Sequence, residues 1–337
     1  MTASQVGVGI VGLGYWGSTL LRTFGAAAQA RVAALCDGDE AQLARAAEKH
    51  PGAWRTPSFD ALLARDDVDA IVVATPPSRH HAMALAALQA GKHVWVEKPL
   101  ALTAADGREL VDAAAAGDRI LFVDETFLYD PLVREMRRLI ADDALGRVLH
   151  LSFERLGMGR IRRDSDVWWN SAPHDVSILL HLVPERVVAT RLHLHAHLQP
   201  GIADMAVCDL ELESGASAHV YLSWLNPEKT AKVVVIGDRR MLAYEGRFEK
   251  RGITMYEYTL DRRPPVGGGA PIIPVDRFAG QPLEIAAGRE PLAIAADHFL
   301  ESVLAGSEPL TSGARSLRVV EVLEAAARGA TRGGRAV

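Results

Sequence analysis

The amino-acid sequence predicts an α/β protein in which a doubly wound parallel sheet is followed by an α+β domain with a mostly antiparallel sheet. Three observations predict this class. Short β-branched runs alternate with helical segments over the first 124 residues, which is typical of βαβ units. Later strand runs look antiparallel, with a hairpin signal between two of them, and helical segments return near the end of the chain. The length of 337 residues suits two domains of roughly 100–200 residues each.

The elements of the first part are bounded by residues that start or end helices. Thr103 with Asp106 is a capping pair at a helix start, and Gly91 is the residue type that follows a helix end. The predicted strands are Val6–Val11, Val32–Cys36, Ile71–Ala74, His93–Val96 and Ile120–Val123. The predicted helices are Trp16–Ala28, Glu40–His50, a short helix from Ser58 to Leu63, Arg79–Ala90 and one from Thr103 to Gly117.

The second part begins with a helix and continues as strands. Asp130-Pro131 combines an N-cap with proline at the first helical position, so a helix is predicted from there to Ala141. Ser214-Gly215 is a hairpin signal between two strand runs. The predicted strands are Val148–Glu154, Val187–Leu198, Ala206–Glu213, Ala216–Trp224, Lys232–Ile236 and Met255–Leu260. The further predicted helices are His174–Leu182, Pro291–Leu304 and Ala314–Arg328.

Composition excludes several classes of function. Lys and Arg total 37 against 42 Asp and Glu, a net charge of −5 that argues against a generic nucleic-acid binder. No run approaches the ~18 consecutive apolar residues of a membrane helix, and no basic residue precedes Arg22, so we expect neither a membrane partner nor a secretory signal. Cys36 and Cys208 are the only cysteines, which excludes a disulfide framework and favours the reducing cytoplasm.

A glycine-rich turn follows the first predicted strand and opens the first predicted helix, the context of a dinucleotide-binding motif. Gly12 permits the tight turn, Gly14 lets the backbone approach a pyrophosphate, and Gly17 lets the helix pack closely on the strand. Tyr15 and Trp16 complete the turn and are expected to contact the cofactor. The helix N-terminus adds free N–H groups and the positive end of its dipole.

Asp37 indicates which dinucleotide this turn binds. It ends the second predicted strand, twenty residues after Gly17, where an acidic side chain would bind the adenosine ribose hydroxyls. Gly38 follows it in place of an Arg that would bind a 2′-phosphate, and a carboxylate repels that phosphate, so NAD is favoured over NADP. The alternative is that Asp37 only caps a loop.

The turn at residues 74–80 also follows a strand, at the sheet edge that faces the cofactor in such folds. Its prolines stiffen it and leave Thr75, Pro76 and nearby backbone to contact the dinucleotide. His80 is placed with these contacts. For His80 and His81 the alternative is a solvated helix start.

Glu97-Lys98-Pro99 follows the predicted strand His93–Val96 and is the first candidate for the chemistry. A Lys at the carboxyl end of a strand points into the crevice that holds the nicotinamide, where it donates to a substrate oxygen and to the ribose. Glu97 is placed beside it among the cofactor contacts, and a cis Lys-Pro bond would set the direction of the lysine. The alternative is a surface lysine in a turn.

The second candidate cluster lies between Trp168 and Asp175. Asn170 and His174 are four residues apart, so in a helix they share one face, and His is suited to removing a hydroxyl proton near neutral pH. We expect Trp168 to line a substrate pocket and Trp169 to contact the cofactor. The alternative for His174 is a structural role.

Four upstream guanidinium groups are candidates for binding a substrate phosphate, and a solvated basic loop is the alternative. They belong to Arg155, Arg160, Arg162 and Arg163. The alternating His193, His195 and His197 share one strand face but lack a carboxylate or Cys in that strand, so no metal site is expected there.

In this order, the glycine turn, the turn around Thr75, Glu97-Lys98-Pro99 and the Asn170–His174 pair resemble the Gfo/Idh/MocA family of oxidoreductases. The resemblance extends over nearly the whole chain, from about Val6 to Arg328. Three further segments resemble a branch that includes sugar-nucleotide 3-dehydrogenases: Thr126–Tyr129, Gly157–Arg162 and Trp169–Asp175.

The resemblance implies a Rossmann domain over residues 1–124, with helices of residues 290–330 packing back on it. It implies a substrate-binding and oligomerisation domain over residues 125–289, whose sheet has an open face that joins a homodimer or homotetramer. It also assigns Lys98 to contact with substrate and ribose, and His174 to general acid/base catalysis.

Two departures from the family pattern concern the site. The family commonly has Asp four residues before this His, where Asn170 supplies a hydrogen bond but no charge. Asp124-Glu125 stands where the branch often has Gly-His, which changes the polarity of the local pocket.

The resulting expectation is an NAD(P)-dependent dehydrogenase that transfers hydride between a ring secondary alcohol of a sugar, in first place a sugar nucleotide, and nicotinamide. Lys98 and His174 share the proton transfer, and the cofactor carries the redox chemistry. An inositol or polyol dehydrogenase and a sugar ketoreductase of the same family are the alternatives. A non-catalytic dinucleotide or sugar sensor, or a structural oligomer with a vestigial site, is the alternative of another class.

Overall fold

The computed structural model describes residues 5–159, 161–163, 165–246, 250–258, 280–285 and 288–333. The chain divides into two units, of which the first joins Met1–Asp130 with Gly288–Glu324. The second joins Pro131–Ala287 with Ala325–Val337. The break after Asp130 lies beyond residue 124, because a short 3-10 helix, Thr126–Tyr129, belongs to the first unit. Its Tyr129 is buried and its hydroxyl lies 3.0 Å from Nδ1 of His298.

The first unit is built on a six-stranded parallel sheet flanked by helices. The strands are β1 Val6–Val11, β2 Ala30–Cys36, β3 Trp54–Thr56, β4 Ala70–Val73, β5 His93–Val96 and β6 Leu121–Val123. The helices are α1 Tyr15–Ala26, α2 Glu40–Lys49, α3 Phe59–Leu63, α4 His80–Gln89 and α5 Ala104–Gly117. The spatial order is β3-β2-β1-β4-β5-β6, so the order reverses between β1 and β4. A reversal of this kind opens a ligand crevice at the carboxyl ends of the two strands.

Aromatic side chains form the centre of the first unit's core. Trp95 of β5 stacks on Phe122 of β6 with ring centroids 4.3 Å apart, and Phe24 of α1 meets Trp95 edge to face at 5.2 Å. Phe299, from helix α8 (Pro291–Ala305), adds a further edge-to-face contact to Trp95 at 5.6 Å. Burial of such large rings, with the added edge-to-face preference, holds the sheet and these helices together.

Among its described residues, the second unit is built on a nine-stranded mixed sheet, and one long helix packs on three of the strands. The first elements are α6 Pro131–Ala141, β7 Val148–Leu156 and α7 Val167–Leu182. The following strands are β8 Val187–His195, β9 Met205–Leu212, β10 Ser217–Ser223, β11 Thr230–Gly237, β12 Arg240–Glu245, β13 Gly252–Glu257 and β14 Gln281–Pro282. After α8 come α9 Gly313–Arg328 and β15 Thr331–Gly333.

The sheet of the second unit has two different faces. Its order is β14-β13-β12-β11-β7-β10-β9-β8-β15, antiparallel except for the parallel pairs β7/β10 and β8/β15. Helix α7 packs against β7, β9 and β10. The opposite face, which we call the open face, carries one row of directly paired residues: Arg191, Asp209, His219, Ser152 and Val234. The predicted fold class is therefore confirmed in both units.

The observed elements differ from the predicted ones at a few places. Helix α7 begins at Val167 and not at His174, because the Asp166 side chain caps it by accepting from the Trp169 N–H at 3.0 Å. Pro173 lies inside this helix. Strand β12 was not predicted, because Tyr244 is the only β-branched or aromatic residue in its sequence, RMLAYE, so its strand propensity is low. The predicted strand Met255–Leu260 begins earlier, and residues 259–260 lie outside the described part of the chain.

Both cysteines, Cys36 and Cys208, are buried and form no disulfide. Burial raises the pKa of the Cys36 thiol to about 11 and that of Cys208 to about 12, so neither is a ready nucleophile. Among the described residues, no helix has the length and apolar character needed to cross a bilayer.

Candidate active site

The glycine turn between β1 and α1 has the geometry that its sequence predicts. Gly12 has φ +86°, and a Cβ there would lie 2.6 Å from the Ala74 carbonyl oxygen. A Cβ on Gly17 would lie 1.7 Å from the Gly12 carbonyl oxygen, so only glycine allows α1 to approach the turn this closely. A Cβ on Gly14 would have no neighbouring atom within 4 Å. Gly12 and Gly17 therefore serve the packing of the turn, while a Cβ at Gly14 would point into open space.

The N-terminus of α1 faces the same space. Gly14 is its N-cap residue and brings no side chain to satisfy the first N–H groups. Tyr15 is 78% exposed and Trp16 is 38% exposed, so both rings are available at the mouth of the site. This arrangement suits the binding of a phosphate group.

Asp37, at the end of β2, fastens the glycine turn. Its carboxylate accepts hydrogen bonds from the backbone N–H groups of Leu13, at 2.6 Å, and of Asp39, at 2.9 Å. Each carboxylate oxygen still has a second acceptor position, so these bonds leave room for ribose hydroxyls. The structure thus shows the loop-capping contact, and it keeps Asp37 beside the glycine turn where ribose binding is expected.

The turn after β4 contributes Thr75 and exposed Pro76 to this edge. The Thr75 hydroxyl oxygen is buried and has no hydrogen-bond partner within the described part of the chain. A buried hydroxyl without a partner is costly, which indicates that a ligand or water completes it.

His80 is not the direct cofactor contact that the sequence suggested. Its ring has no exposed surface, and its Nδ1 and Nε2 lie 2.8 Å and 2.9 Å from the carbonyl oxygens of Pro99 and Thr75. A side chain without exposed surface does not touch a bound dinucleotide. His80 instead ties the Thr75 turn to the Lys98-Pro99 loop, and burial lowers its pKa although the two carbonyl contacts oppose this.

Lys98 follows Glu97 at the carboxyl end of β5, and its bond to Pro99 is cis. The ends of β1, β4 and β5 are adjacent, because Val11 pairs with Val73 and Val73 pairs with Val96. The half-buried Lys98 thus lies at the same edge of the sheet as the glycine turn. Its positive charge acts on Glu97, Asp124 and His80.

Asp124 is a site residue whose role sequence reasoning missed. It follows β6 directly, is 1% exposed, and accepts hydrogen bonds from the Trp16 indole N–H at 3.3 Å and from the Thr126 hydroxyl. Its carboxyl group is also hydrogen-bonded to that of Glu97, which is 8% exposed. The signal in the sequence was an acidic residue directly after each of two adjacent buried strands.

The candidate catalytic pair of the second unit lies on α7. Asn170 and His174 are both half-buried and share one face of this helix, as their spacing predicts. Pro173 cannot donate to the Trp169 carbonyl, so the helix loses one internal hydrogen bond next to His174. Trp169 is half-buried, one residue before Asn170.

Two expectations for the second unit need correction. Trp168 has no exposed surface and is part of the core, so it is not a substrate contact. Arg155 is committed to Asp175 through two hydrogen bonds of 3.0 Å and 2.7 Å, and Asp175 is 2% exposed. A bidentate salt bridge of this kind stabilises the packing of α7 on β7. Because it occupies the guanidinium group, Arg155 is no longer a candidate phosphate ligand.

The remaining arginines are placed as follows. Arg162 is half-buried and Arg163 is exposed. Arg160 lies outside the described residues. In the described part of the chain, no group of three or more His, Cys, Asp and Glu side chains is arranged to hold a metal ion.

The residues at the edge of the first sheet fit a dinucleotide. Three features lie next to the reversal of strand order between β1 and β4: the open space at Gly14, the N-terminus of α1 without a side-chain cap, and the Thr75 hydroxyl, which has no partner among the described residues. Asp37 follows β2 and Lys98 follows Glu97 after β5, so both lie at the carboxyl ends of strands of this sheet.

Comparison with known sequences decides the family. The sequence model of an oxidoreductase family with an NAD-binding Rossmann fold, named Gfo/Idh/MocA, matches residues 6–125. The sequence model of the Gfo/Idh/MocA C-terminal domain matches residues 133–243. Together they span more than half of the 337 residues. This chain belongs to the Gfo/Idh/MocA family of oxidoreductases.

Individual members of the Gfo/Idh/MocA family show how far the similarity extends. Inositol 2-dehydrogenase 2 of Saccharopolyspora erythraea is 33% identical over 221 residues, which cover 63% of this chain and 65% of that protein. The match thus spans slightly less than two thirds of the relative's length.

Solved structures share the fold. A UDP-N-acetylglucosamine 3-dehydrogenase from Acidithiobacillus ferrooxidans superposes with a TM-score of 0.82 at 24% identity, covering 97% of this chain and 98% of the other. A levoglucosan dehydrogenase in complex with NADH superposes with a TM-score of 0.83 at 19% identity, covering 97% and 98%.

Proposed function

We propose that this protein is an NAD-dependent dehydrogenase that transfers hydride between a ring secondary alcohol of a sugar and nicotinamide. The observation that carries the proposal is the placement of Lys98 at the same sheet edge as the open glycine turn. A bound dinucleotide supplies the hydride acceptor. The ammonium group of Lys98 supplies a hydrogen-bond donor to the reacting oxygen of the substrate.

The protein's own groups orient the substrate and move its proton. Lys98 donates a hydrogen bond to the substrate oxygen, which stabilises negative charge as the hydroxyl ionises. His174 acts as the general base that accepts the hydroxyl proton in oxidation and returns it in reduction. Asn170, one helical turn before it, holds the imidazole through a neutral hydrogen bond.

The substrate proposed first is a sugar nucleotide oxidised at the 3-position. Arg162 and Arg163 support it as candidate phosphate ligands, and so does the shared fold with a UDP-N-acetylglucosamine 3-dehydrogenase. The loss of Arg155 from that set and the 33% identity to an inositol 2-dehydrogenase favour the second candidate, an inositol or another polyol.

The experiment that tests the function is a single-turnover reduction of NAD with a panel of UDP-sugars, free sugars and inositols, followed by NADH absorbance. We expect reduction with at least one ring alcohol, and Lys98→Ala should abolish it while NAD still binds. Tight NAD binding with no reduction by any compound would support the sensor alternative. Activity retained in Lys98→Ala would remove Lys98 from the mechanism.

We also propose that the open face joins two or four copies of the chain. The pairing of Arg191 with Asp209 places opposite charges side by side on this face, which a second copy can match. Light scattering on Asp209→Arg, compared with the unchanged protein, tests it. A mass equal to one chain for the unchanged protein would refute it.

A further inference from the structure

Two buried carboxyl groups, one at the end of each of two neighbouring strands, interact with each other and with the charge of Lys98. Glu97 follows β5 and Asp124 follows β6, and the Asp124 N–H donates to the Val96 carbonyl at 2.9 Å. Glu97 is 8% exposed and Asp124 is 1% exposed. Two carboxylates in contact at such a place cannot both be ionised without a large cost, so one proton is shared between them.

The surrounding donors decide which of the two carries the negative charge. The indole N–H of Trp16 and the hydroxyl of Thr126 both donate to Asp124. Glu97 donates to Asp124 as the protonated partner, and its Oε1 has no hydrogen-bond partner among the described residues. The Trp16 indole interacts with both carboxyl groups, whereas the Thr126 hydroxyl and the proton of Glu97 are donors that Asp124 has and Glu97 lacks, so an ionised Asp124 and a neutral Glu97 are favoured.

Burial raises the pKa of both carboxyl groups. The charge of Asp124 and its hydrogen bond raise the pKa of Glu97 further, well above its usual value, although the Lys98 charge and the Trp16 indole oppose that increase. For Asp124, the hydrogen bonds from Glu97, Thr126 and Trp16 oppose the increase in pKa that burial causes.

We propose that Asp124 is a positioning residue, which together with the proton on Glu97 holds a single negative charge beside Lys98 and so keeps the lysine in its ammonium form. The proposal rests on the proposed dehydrogenase function for its kinetic consequence only. The charges of Asp124 and Lys98 act on each other, and the pKa values of Glu125 and His80, also in the first unit, respond to Asp124 and to Lys98 respectively.

The proposal explains what Asp124 contributes that Glu97 alone would not. A lone buried Glu97 would be neutral, because burial disfavours its charged form, and it would place no negative charge next to Lys98 in the chain. Asp124 with its donors from Trp16 and Thr126 supplies that charge in the first unit, whereas Asn170 supplies none on α7.

The test compares Asp124→Asn with Glu97→Gln. Asp124→Asn removes the negative charge, so the pKa of Lys98 should fall by about one unit. Glu97→Gln replaces a neutral donor by another neutral donor, so it should leave the pKa of Lys98 in place. Asp130→Asn is the matched control, because Asp130 is also a buried carboxyl group of the first unit but lies outside the pair.

The pKa of Lys98 is measured by NMR on protein with ¹³C-methylated lysines, with the Lys98 signal assigned by its loss in Lys98→Arg. This measurement needs no substrate, so it separates failure of the charge pair from failure of the dehydrogenase proposal. In the active enzyme, the alkaline limb of kcat/KM should shift to lower pH by the same amount in Asp124→Asn.

An unchanged pKa of Lys98 in Asp124→Asn overturns the proposal, and so does an equal shift in Glu97→Gln. If Asp124→Asn does not fold, Thr126→Val serves in its place, because it removes one donor and keeps the volume. It should lower the pKa of Lys98 in the same direction by a smaller amount, and a rise or no change would also overturn the proposal.

Discussion

Replacing Gly14 or Gly17 with alanine separates the folding of the glycine turn from its binding of the cofactor. A Cβ at Gly14 meets nothing within 4 Å, and φ there is −63°, so Gly14→Ala should change the free energy of unfolding by less than about 0.5 kcal/mol. The same methyl group occupies the space that the pyrophosphate needs. NAD affinity should therefore fall at least tenfold, or about 1.4 kcal/mol.

Gly17→Ala, in contrast, should lower the stability of the fold strongly. Its Cβ would lie 1.7 Å from the Gly12 carbonyl oxygen, so α1 must move away from the turn. Overpacking costs about 3 kcal/mol at the upper end of its usual range, and alanine in a helix recovers about 1 kcal/mol. A net loss of about 2 kcal/mol is expected, together with the loss of NAD binding.

The assays are calorimetric titration with NAD and chemical denaturation of both variants beside the unchanged protein. The decisive protein is Gly14→Ala. If it binds NAD as tightly as the unchanged protein, the dinucleotide does not approach the backbone at Gly14, and the reading of this turn is wrong.

Three other predictions concern the remaining groups of the two units. Asp37→Ser should weaken NAD binding and raise the preference for NADP, because it removes a charge that repels a 2′-phosphate. The ratio of kcat/KM for the two cofactors measures this preference. An unchanged ratio would show that Asp37 does not recognise the ribose. Burial, opposed by Ser316 and helped by Asp124, raises the pKa of Glu125 from 4.5 to about 7, so the folded state binds this proton more tightly than the unfolded chain does. The free energy of unfolding should therefore fall by about 3 kcal/mol as the pH rises from 4.5 to 7, at ~1.4 kcal/mol per pH unit. In denaturation series at several pH values, Glu125→Gln should lack this decrease. An equal decrease in the variant and the unchanged protein would contradict the assignment. Arg155→Met should destabilise the second unit by about 3 kcal/mol, because it leaves Asp175 buried without its partner, and thermal unfolding measures this. Arg162→Ala should weaken only the binding of a phosphate-bearing substrate, which KM measures. A stable Arg155→Met variant with a raised KM would reverse the two roles.

Patterns close together in the sequence were sufficient for the parallel sheet and its cofactor edge. The glycine turn, Asp37 and Lys98 each follow a strand end, and parallel strands bring their carboxyl ends to one edge of a sheet. The helical spacing of Asn170 and His174 was equally local, and α7 keeps both on one face.

Side-chain roles that depend on long-range packing were decided by the tertiary structure. The sequence could place Trp168 and His80 next to functional motifs, but burial assigns the first to the core and the second to a link between two loops. Arg155 and Asp175 are twenty residues apart and meet only because α7 packs on β7. Asp124 acquires its partner Glu97 from the neighbouring strand, since a proton is shared only by groups that the fold brings into contact and removes from water.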